Sequence, residues 1–332
     1  MAADADLLVL AELNPDVLVS AGNVEVRFGQ VEQLIENATV TLGSSGAITA
    51  CAAAAQGLRV TVSAVVGDDP MGEWTREQLR SRGVDVSAVV TRPGRTTGLS
   101  VVLTRDDGDR AILTYSGTMT ELSGADVPAA LLERARHVHA SSFFLQAGLQ
   151  PDLPSVFRRA GDHGASTSLD TGWAPDGEWS AAAPVLRDLT YLLPNQAECD
   201  HLAAALTPRS GRTPGGGDRV LSCAAALSAL GPGVAVKLGA AGGLAVSAEG
   251  AVLVHGRPVR PVDTTGAGDC FNAGFLAGLL DGAGQAAALQ RAVATGSFAV
   301  TGWGGTGALA TRDQAVRAAA VLTAEGLSWP ES

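Results

Sequence analysis

The sequence has few aromatic residues, a single lysine and a deficit of positive charge. Aromatic side chains make up 4% of the 332 residues, so a buried core must consist mainly of aliphatic side chains. Lysine and arginine total 23 against 34 aspartates and glutamates, which gives a formal net charge of −11. Because nucleic-acid binding needs clustered positive charge, this balance argues against a nucleic-acid partner.

Cysteine is also scarce, and the spacing of the cysteines argues against a scaffold held together by zinc or by disulfides. The four cysteines show no spacing typical of a zinc site or of a disulfide framework. Residues 1–14 lack a basic segment and carry acidic residues within their apolar stretch, so we expect no signal peptide. No uninterrupted apolar run reaches the roughly 18 residues of a membrane span. These features predict a cytoplasmic protein without a membrane partner.

Short apolar runs alternate with helix-like stretches along most of the chain. Residues 7–10, 60–66 and 234–238 are typical of strands that are buried on both faces. Helical spacing of apolar residues follows or precedes such runs, for example at 153–160 and 198–204. This alternation predicts the α/β class, with a doubly wound, mostly parallel sheet and helices on both faces.

Two segments have the pattern of β-ribbons instead, at 17–42 and 96–115. In the second, two apolar strands flank residues 106–109, DDGD, whose glycine suits a hairpin turn. We expect the two segments to meet as a small β-sheet lid, although two unrelated surface hairpins are the alternative. The predicted division is an α/β domain of residues 1–13, 43–92 and 121–332, with a lid of residues 14–42 and 93–120.

The most informative stretch is residues 262–282, VDTTGAGDCFNAGFLAGLLDG. A small, flexible loop at 264–268 precedes apolar residues at helical spacing. A glycine-rich turn that opens a helix presents free backbone N–H groups and the positive end of the helix dipole, so it binds anions such as phosphate. Asp269 in the first turn can accept a proton from a hydroxyl that attacks a bound phosphoryl group. The alternative is a tight turn in which Asp269 only caps the helix.

The whole stretch DTTGAGDCFNAGFLAGLL resembles the C-terminal motif of the PfkB/ribokinase family of carbohydrate kinases. The resemblance implies a ribokinase-like fold and transfer of the γ-phosphoryl group of ATP to a hydroxyl of an unphosphorylated sugar. It implies Asp269 as the catalytic base and Gly266, Ala267 and Gly268 as the anion hole. The cofactors it implies are ATP and Mg²⁺, and in several relatives K⁺.

Motifs near the first strand resemble the substrate side of that family. LNPD at 13–16 matches an element whose aspartate binds sugar hydroxyls, and GSSGA at 43–47 matches a di-glycine before an alanine-rich helix. The lid strands match as well. The resemblance therefore implies substrate contacts from Asn14, Asp16, Gly43, Ser44 and Arg110.

Later motifs resemble the nucleotide side. PNQAE at 194–198 matches an element of the magnesium, water and phosphate network, and KLG at 237–239 matches a strand end that reaches the nucleotide. Glu198 would act on Mg²⁺ through water, and Asp263 matches an aspartate that holds a monovalent cation in several relatives. For Lys237, a solvated side chain is the alternative. The implied nucleotide contacts are Asn195, Lys237, Gly239, Gly242, Thr265 and Thr295.

Departures from the family pattern bear on the acceptor. Ser44 stands where a second glycine is usual, and Ile48 stands where asparagine is common. Leu193 replaces a lysine that pairs with the substrate phosphate in kinases of phosphorylated hexoses, which favours an unphosphorylated acceptor. A sugar-acid kinase of the 2-keto-3-deoxygluconate type, a nucleoside kinase and a non-catalytic sugar- or nucleotide-binding regulator are the alternatives. Relatives that dimerise through their lids lead us to expect a homodimer.

Overall fold

The structure is a computed structural model that describes residues 5–22, 26–105, 110–207 and 217–327. Strands and helices alternate along most of these ranges. The strands are β1 (Ala5–Leu10), β2 (Pro15–Gly22), β3 (Asn37–Leu42), β4 (Val60–Gly67), β5 (Asp85–Arg92), β6 (Leu99–Arg105), β7 (Arg110–Tyr115), β8 (Ala135–Ala140), β9 (Ser166–Leu169), β10 (Tyr191–Leu192), β11 (Gly233–Lys237), β12 (Gly242–Ser247), β13 (Gly250–His255) and β14 (Ala324–Leu327). The α-helices are α1 (Ser45–Ala55), α2 (Pro70–Arg80), α3 (Ala129–Arg134), α4 (Leu153–Asp162), α5 (Gln196–Leu206), α6 (Gly217–Ser228), α7 (Ala267–Leu280), α8 (Gln285–Ala299) and α9 (Arg312–Ala319).

Ten strands form the main sheet, in the order β14-β13-β12-β11-β10-β9-β8-β1-β4-β5. Pairing is parallel from β11 through to β5, and the three pairs from β11 to β14 are antiparallel. The predicted α/β class with a mostly parallel sheet is therefore confirmed. The strand order reverses at β1: the next strands of the sheet, β4 and β5, lie on one side of β1, and the later strands from β8 onward lie on the other side. Ligands of open α/β sheets bind at the carboxyl ends of the strands beside such a reversal.

Strand β1 is buried on both of its faces. Leu8 and Leu10 belong to one aliphatic cluster, and Leu7 and Val9 belong to a second cluster that also holds Phe275 of α7. Successive side chains of a strand point to opposite sides, so the two clusters lie on opposite faces of the sheet. This double burial explains why β1 is a continuous apolar run in the sequence.

A separate sheet of four strands has the order β3-β2-β6-β7. Strand β2 pairs with β3 in antiparallel and with β6 in parallel register, and β6 pairs with β7 as an antiparallel hairpin. The structure thus joins the two ribbon segments in one sheet rather than leaving two unrelated hairpins. The predicted turn at 106–109 lies outside the described residues. Within the described ranges, no helix combines the length and the apolarity that crossing a membrane requires.

Candidate active site

Glu12 follows β1 and is buried where β1 and β8 end. Its Oε1 accepts hydrogen bonds from the backbone N–H of Ser45 at 2.8 Å and from Ser142 Oγ at 3.0 Å. Its Oε2 accepts a bond from Ser141 Oγ at 2.8 Å. Burial raises the pKa of the Glu12 carboxyl, and these donors oppose that rise. The sequence did not point to Glu12 because its partners come from distant segments.

Three of the predicted substrate residues lie together beside Glu12. Asn14 Nδ2 donates to Asp16 Oδ1 at 2.8 Å and to Ser100 Oγ of β6 at 3.3 Å. A Cβ on Gly43 would overlap Asp16 Oδ1, so only glycine permits this approach of carboxylate and backbone. Burial, together with the charge of Glu12, raises the pKa of Asp16 to about 6 although Asn14 lowers it. We call Asn14, Asp16, Gly43 and Ser100 the acceptor cluster; Ser100 is an addition to the predicted residues.

Ser44 has a different role from the predicted one. Its φ of 67° lies in the left-handed region, which explains why glycine is usual at this position of the family pattern. Ser44 Oγ accepts a hydrogen bond from the N–H of Ala47 at 3.0 Å and donates to the carbonyl of Glu12. The hydroxyl therefore caps α1 and is used within the protein rather than directed at a substrate.

Gly266 is the N-cap residue of helix α7, and its φ is 75°. A Cβ there would lie 2.7 Å from Cα of Gly305, so the turn requires glycine for both its conformation and its space. The N–H of Ala267 donates to the carbonyl of Thr264 at 3.4 Å. This bond is long, so this N–H of the predicted anion hole is only weakly bonded within the protein. Gly268 follows in the first turn, where a helix has N–H groups without helical partners.

Asp269 lies in the first turn of α7, half-buried behind this loop. Ser45 Oγ, at the start of α1, donates to Asp269 Oδ1 at 2.5 Å. Burial and the negative charge of Asp170 raise the pKa of Asp269 to about 7, while the bond from Ser45 and the charge of Lys237 lower it. Asp269 is therefore a carboxylate whose protonation changes near neutral pH.

Lys237 is not the solvated side chain that we considered as the alternative. Its Nζ lies 2.6 Å from Asp170 Oδ2, and only 12% of its side chain is exposed. Asn272 of α7 donates to the same oxygen at 2.6 Å. Burial opposes both charges, yet the ion pair raises the pKa of Lys237 and lowers that of Asp170. Both groups are therefore ionised at neutral pH, and Asp170 joins the candidate site although no local pattern in the sequence pointed to it.

A cleft of about 630 Å³ opens beside the N-terminus of α7. This volume is typical of small-molecule sites. Its walls combine glycines and apolar side chains with the cationic side chains of Arg110, Lys237 and Arg257. They include three of the six predicted nucleotide residues, namely Lys237, Gly239 and Gly242. The lining includes Arg110, Lys237, Gly239, Gly242, Ala267, Gly268, Phe271, Val293, Gly296, Ser297 and Val300.

Arg110 of β7 reaches this cleft rather than the acceptor cluster. Its Nη1 donates to Thr265 Oγ1 at 2.9 Å. Thr265 in turn donates to Asp263 Oδ1 through its N–H at 2.9 Å and its Oγ1 at 2.7 Å, and Gly304 N–H donates to Asp263 Oδ2 at 2.9 Å. The small sheet therefore contacts the loop at 264–268, and Asp263 ties that loop to the one at Gly304.

Thr295 does not reach the cleft, contrary to the prediction. Its side chain is 1% exposed, and its Oγ1 donates to the carbonyl of Arg291 within α8 at 2.7 Å. A Cβ on Gly274 would lie 2.6 Å from this hydroxyl, so Thr295 faces α7. The next residue along the helix, Gly296, lines the cleft instead.

Asn195 and Glu198 form the N-terminal cap of α5. Asn195 Oδ1 accepts from the N–H of Glu198 at 2.9 Å, and the two Glu198 oxygens accept from Asn195 N and Nδ2 at 2.8 and 2.7 Å. This is a reciprocal capping arrangement. A β-bridge between Asn195 and Lys237 places it beside the ion pair. Burial and the charge of Asp170 raise the pKa of Glu198 to about 7.

Comparison with known proteins shows the family to which this chain belongs. Residues 7–312 match the pfkB family carbohydrate kinase model, and the chain belongs to this family. It is 31% identical over 264 residues to an ATP-dependent ribose-1-phosphate kinase of Halopiger xanaduensis, covering 76% of this chain and 79% of the relative. It is 29% identical over 295 residues to a 2-dehydro-3-deoxygluconokinase of Bacillus subtilis, covering 85% and 88%.

The solved structures show the same fold. The structure of Arabidopsis thaliana ribokinase complexed with ribose and ATP matches with a TM-score of 0.80 and 22% sequence identity. The match covers 96% of this chain and 99% of that one. This likeness confirms the predicted ribokinase-like architecture.

Proposed function

We propose that this carbohydrate kinase transfers the γ-phosphoryl group of ATP to a hydroxyl of an unphosphorylated sugar. One observation carries the proposal: the bond from Ser45 to Asp269 joins the start of α1, two residues after Gly43 of the acceptor cluster, to the helix whose first residues line the cleft. A sugar on the acceptor cluster and a nucleotide in the cleft would meet at Asp269. The assignment of each site residue rests on this arrangement together with the family motif.

In this proposal, Asp269 accepts the proton of the attacking hydroxyl. Ser45 donates to its Oδ1, so we assign Oδ2 as the oxygen that accepts this proton. A bond forms between the hydroxyl oxygen and the γ-phosphorus, the bond from that phosphorus to the β-phosphate oxygen breaks, and ADP leaves. The transition state is loose, so the proton moves late and a carboxylate of moderate basicity suffices.

The nucleotide cleft fits a polyphosphate on structural grounds. A Cβ on Gly268 would lie 3.3 Å from Cδ of Lys237, so the bare glycine keeps the space between loop and lysine open. The first N–H groups of α7 and the cations Lys237 and Arg110 border that space. Negative charge that develops on the transferred group would meet these donors and charges. Phe271 and Val293 supply the apolar wall that a purine needs.

Magnesium is the metal we propose. The Glu198 oxygens are engaged by Asn195, so Glu198 fits a role through bound water better than direct coordination. Mg²⁺ keeps several waters and is commonly held by substrate phosphates, where it neutralises developing charge. Asp263 fits K⁺ less well, because three N–H and O–H donors already engage its two oxygens. Potassium dependence stays a prediction.

We propose an unphosphorylated acceptor because position 193 carries a leucine, which cannot pair with a substrate phosphate. Leu193 is fully buried in the core, so it neither contacts nor pairs with a substrate. Arg110, the lid cation assigned to the acceptor from the sequence, contacts Thr265 on the nucleotide side. The polar groups of the acceptor cluster are a carboxylate, an amide and a hydroxyl, which suit sugar hydroxyls.

An ADP-release screen tests the proposed function. The acceptors should include ribose, fructose, nucleosides, inositols, 2-keto-3-deoxygluconate and ribose 1-phosphate, with and without Mg²⁺ and K⁺. We expect magnesium-dependent turnover with at least one neutral sugar. Turnover restricted to ribose 1-phosphate or to the sugar acid would contradict the acceptor assignment. Nucleotide binding without any turnover would indicate the non-catalytic regulator.

We also propose that residues 14–42 and 93–120 act as one lid that closes the site and excludes water. The register aligns Val17 with Val40 and Val101, and Val101 with Leu113, so these apolar side chains share the face opposite Asp16. Leu113 is 63% exposed and Val40 46% exposed. An apolar face of this kind invites pairing with a second copy. We therefore propose a lid-to-lid homodimer, and a monomeric mass at micromolar concentration would contradict it.

A further inference from the structure

Two hydroxyls on the first two turns of α1 contact Asp269, one at its carboxylate and the other at its backbone carbonyl. Ser45 Oγ donates to the carboxylate oxygen Oδ1 at 2.5 Å. Thr49, one turn later on the same helix, donates through Oγ1 to the backbone carbonyl of Asp269 at 3.3 Å. Only Ser45 therefore touches the group that we assign as the base.

The position of Ser45 is fixed by its surroundings. Its N–H donates to Glu12 Oε1, and the two Glu12 oxygens also bind the hydroxyls of Ser141 and Ser142. A Cβ on Gly46 would overlap Ser141 Oγ and the Cβ of Ala11, so α1 begins in direct contact with the ends of β1 and β8. The first turn of α1 cannot slide or rotate without breaking these contacts.

We propose that Ser45, anchored by Glu12, is a positioning residue for the catalytic base: its hydroxyl occupies Oδ1 of Asp269 and leaves Oδ2 directed at the acceptor hydroxyl. This inference rests on the proposed function, since it matters only if Asp269 removes a proton from a substrate. It assigns a role to a residue that is outside the glycine-rich loop and outside the acceptor cluster.

The hydrogen bond also affects the charge state of Asp269. The ionisable groups that act on it from neighbouring elements are Glu12 after β1, Asp170 after β9 and Lys237 on β11. The two carboxylates raise its pKa, and Lys237 and the Ser45 hydroxyl lower it. Because a hydrogen bond to the charged form favours that form, loss of the hydroxyl should raise the pKa of the base further.

The test compares Ser45→Ala with Thr49→Val in the full-length protein. Thr49→Val removes a hydroxyl of the same helix that contacts the same residue, but not its carboxylate. For Ser45→Ala we expect the acid limb of the kcat profile to move up by about one pH unit, with the KM of ATP and of the acceptor within about twofold of wild type. Thr49→Val should leave the limb in place. Ser45→Thr, which keeps a hydroxyl, should restore the wild-type limb.

A merely structural role gives a different result. If Ser45→Ala and Thr49→Val moved the limb equally, or if Ser45→Ala left it unchanged, the inference would be wrong. Should Ser45→Ala fail to fold, Ser45→Cys keeps the volume with a weaker donor and carries the same test. Asp269→Asn separates the two proposals: if it stays active, the proposed base fails, whereas an inactive Asp269→Asn beside an unchanged Ser45→Ala contradicts only the positioning role.

Discussion

The proposed acceptor side and the proposed nucleotide side of the site are lined by different kinds of groups. On the acceptor side, Asn14, Asp16 and Ser100 are joined by hydrogen bonds and lie close to the buried Glu12. On the nucleotide side, the cleft is lined largely by glycines and apolar side chains, and two of its cationic side chains, Lys237 and Arg110, contact Asp170 and Thr265. The acceptor side thus consists mainly of polar side chains that hydrogen bonds hold in place, whereas the nucleotide side consists mainly of open space next to backbone and apolar groups.

This difference predicts how the two sides respond to substitution. A polar side chain that is already held by its neighbours loses little entropy on binding, so its removal should act directly on acceptor affinity. A glycine in the wall of the nucleotide cleft contributes by leaving space for the ligand, so adding a methyl group there should lower nucleotide affinity. Asp269 lies between the two sides and should affect neither affinity.

The largest expected effect is that of Asp269→Asn. Asparagine keeps the shape of the side chain but cannot accept the proton, and loss of a general base typically lowers the rate by about 10²–10⁴-fold. We expect kcat to fall by that order while both KM values move little. Steady-state kinetics with each substrate varied in turn measures this. Retention of more than roughly a tenth of the wild-type kcat would place the base elsewhere.

A smaller and one-sided effect is expected for Asp16→Ala. Charge-assisted hydrogen bonds contribute about 1.5–3 kcal/mol each, so the KM of the acceptor should rise about 10–100-fold. The KM of ATP should stay nearly constant. Asp162→Ala, at an exposed aspartate of α4, is the control and should change neither. An equal loss of both affinities would mean that Asp16 supports the fold rather than the acceptor side.

The smallest expected effect is that of Gly268→Ala, on the opposite side. The new Cβ would lie 3.3 Å from Cδ of Lys237, which must shift slightly. Such crowding costs about 1 kcal/mol, so the KM of ATP should rise roughly fivefold while the acceptor KM does not change. Gly284→Ala, where a Cβ meets nothing within 4 Å, is the matched control. A rise in the acceptor KM instead would contradict the assignment of Gly268 to the nucleotide side alone.

The sequence could predict the elements whose signals are local. The apolar runs locate the buried strands, and the glycine loop before an apolar helix locates the start of α7 with Asp269 in its first turn. These features depend on neighbours within a few residues, so they are visible along the chain.

Features that depend on distant contacts were not visible in the same way. Ser45 and Asp269 are 224 residues apart, and Lys237 and Asp170 are 67 apart. Thr295 and Gly296 are neighbours in the sequence, but the orientation of α8 directs Thr295 at α7 and leaves Gly296 at the cleft. The motif predicts Asp269 as the base, while the raised pKa of Asp269 comes from burial and from Asp170, which only the folded chain brings close.

The pH dependence of kcat at saturating ATP, acceptor and Mg²⁺ tests the central claim most directly. Asp269 must be ionised to accept a proton, and its pKa is raised to about 7. Below that pH the protonated fraction grows, so kcat should fall about tenfold per pH unit, and above it kcat should level off. The acceptor KM should rise only below about pH 6, where Asp16 becomes protonated. A kcat that is flat from about pH 5 to 8 would contradict the assignment of Asp269 as the base that joins the two sides.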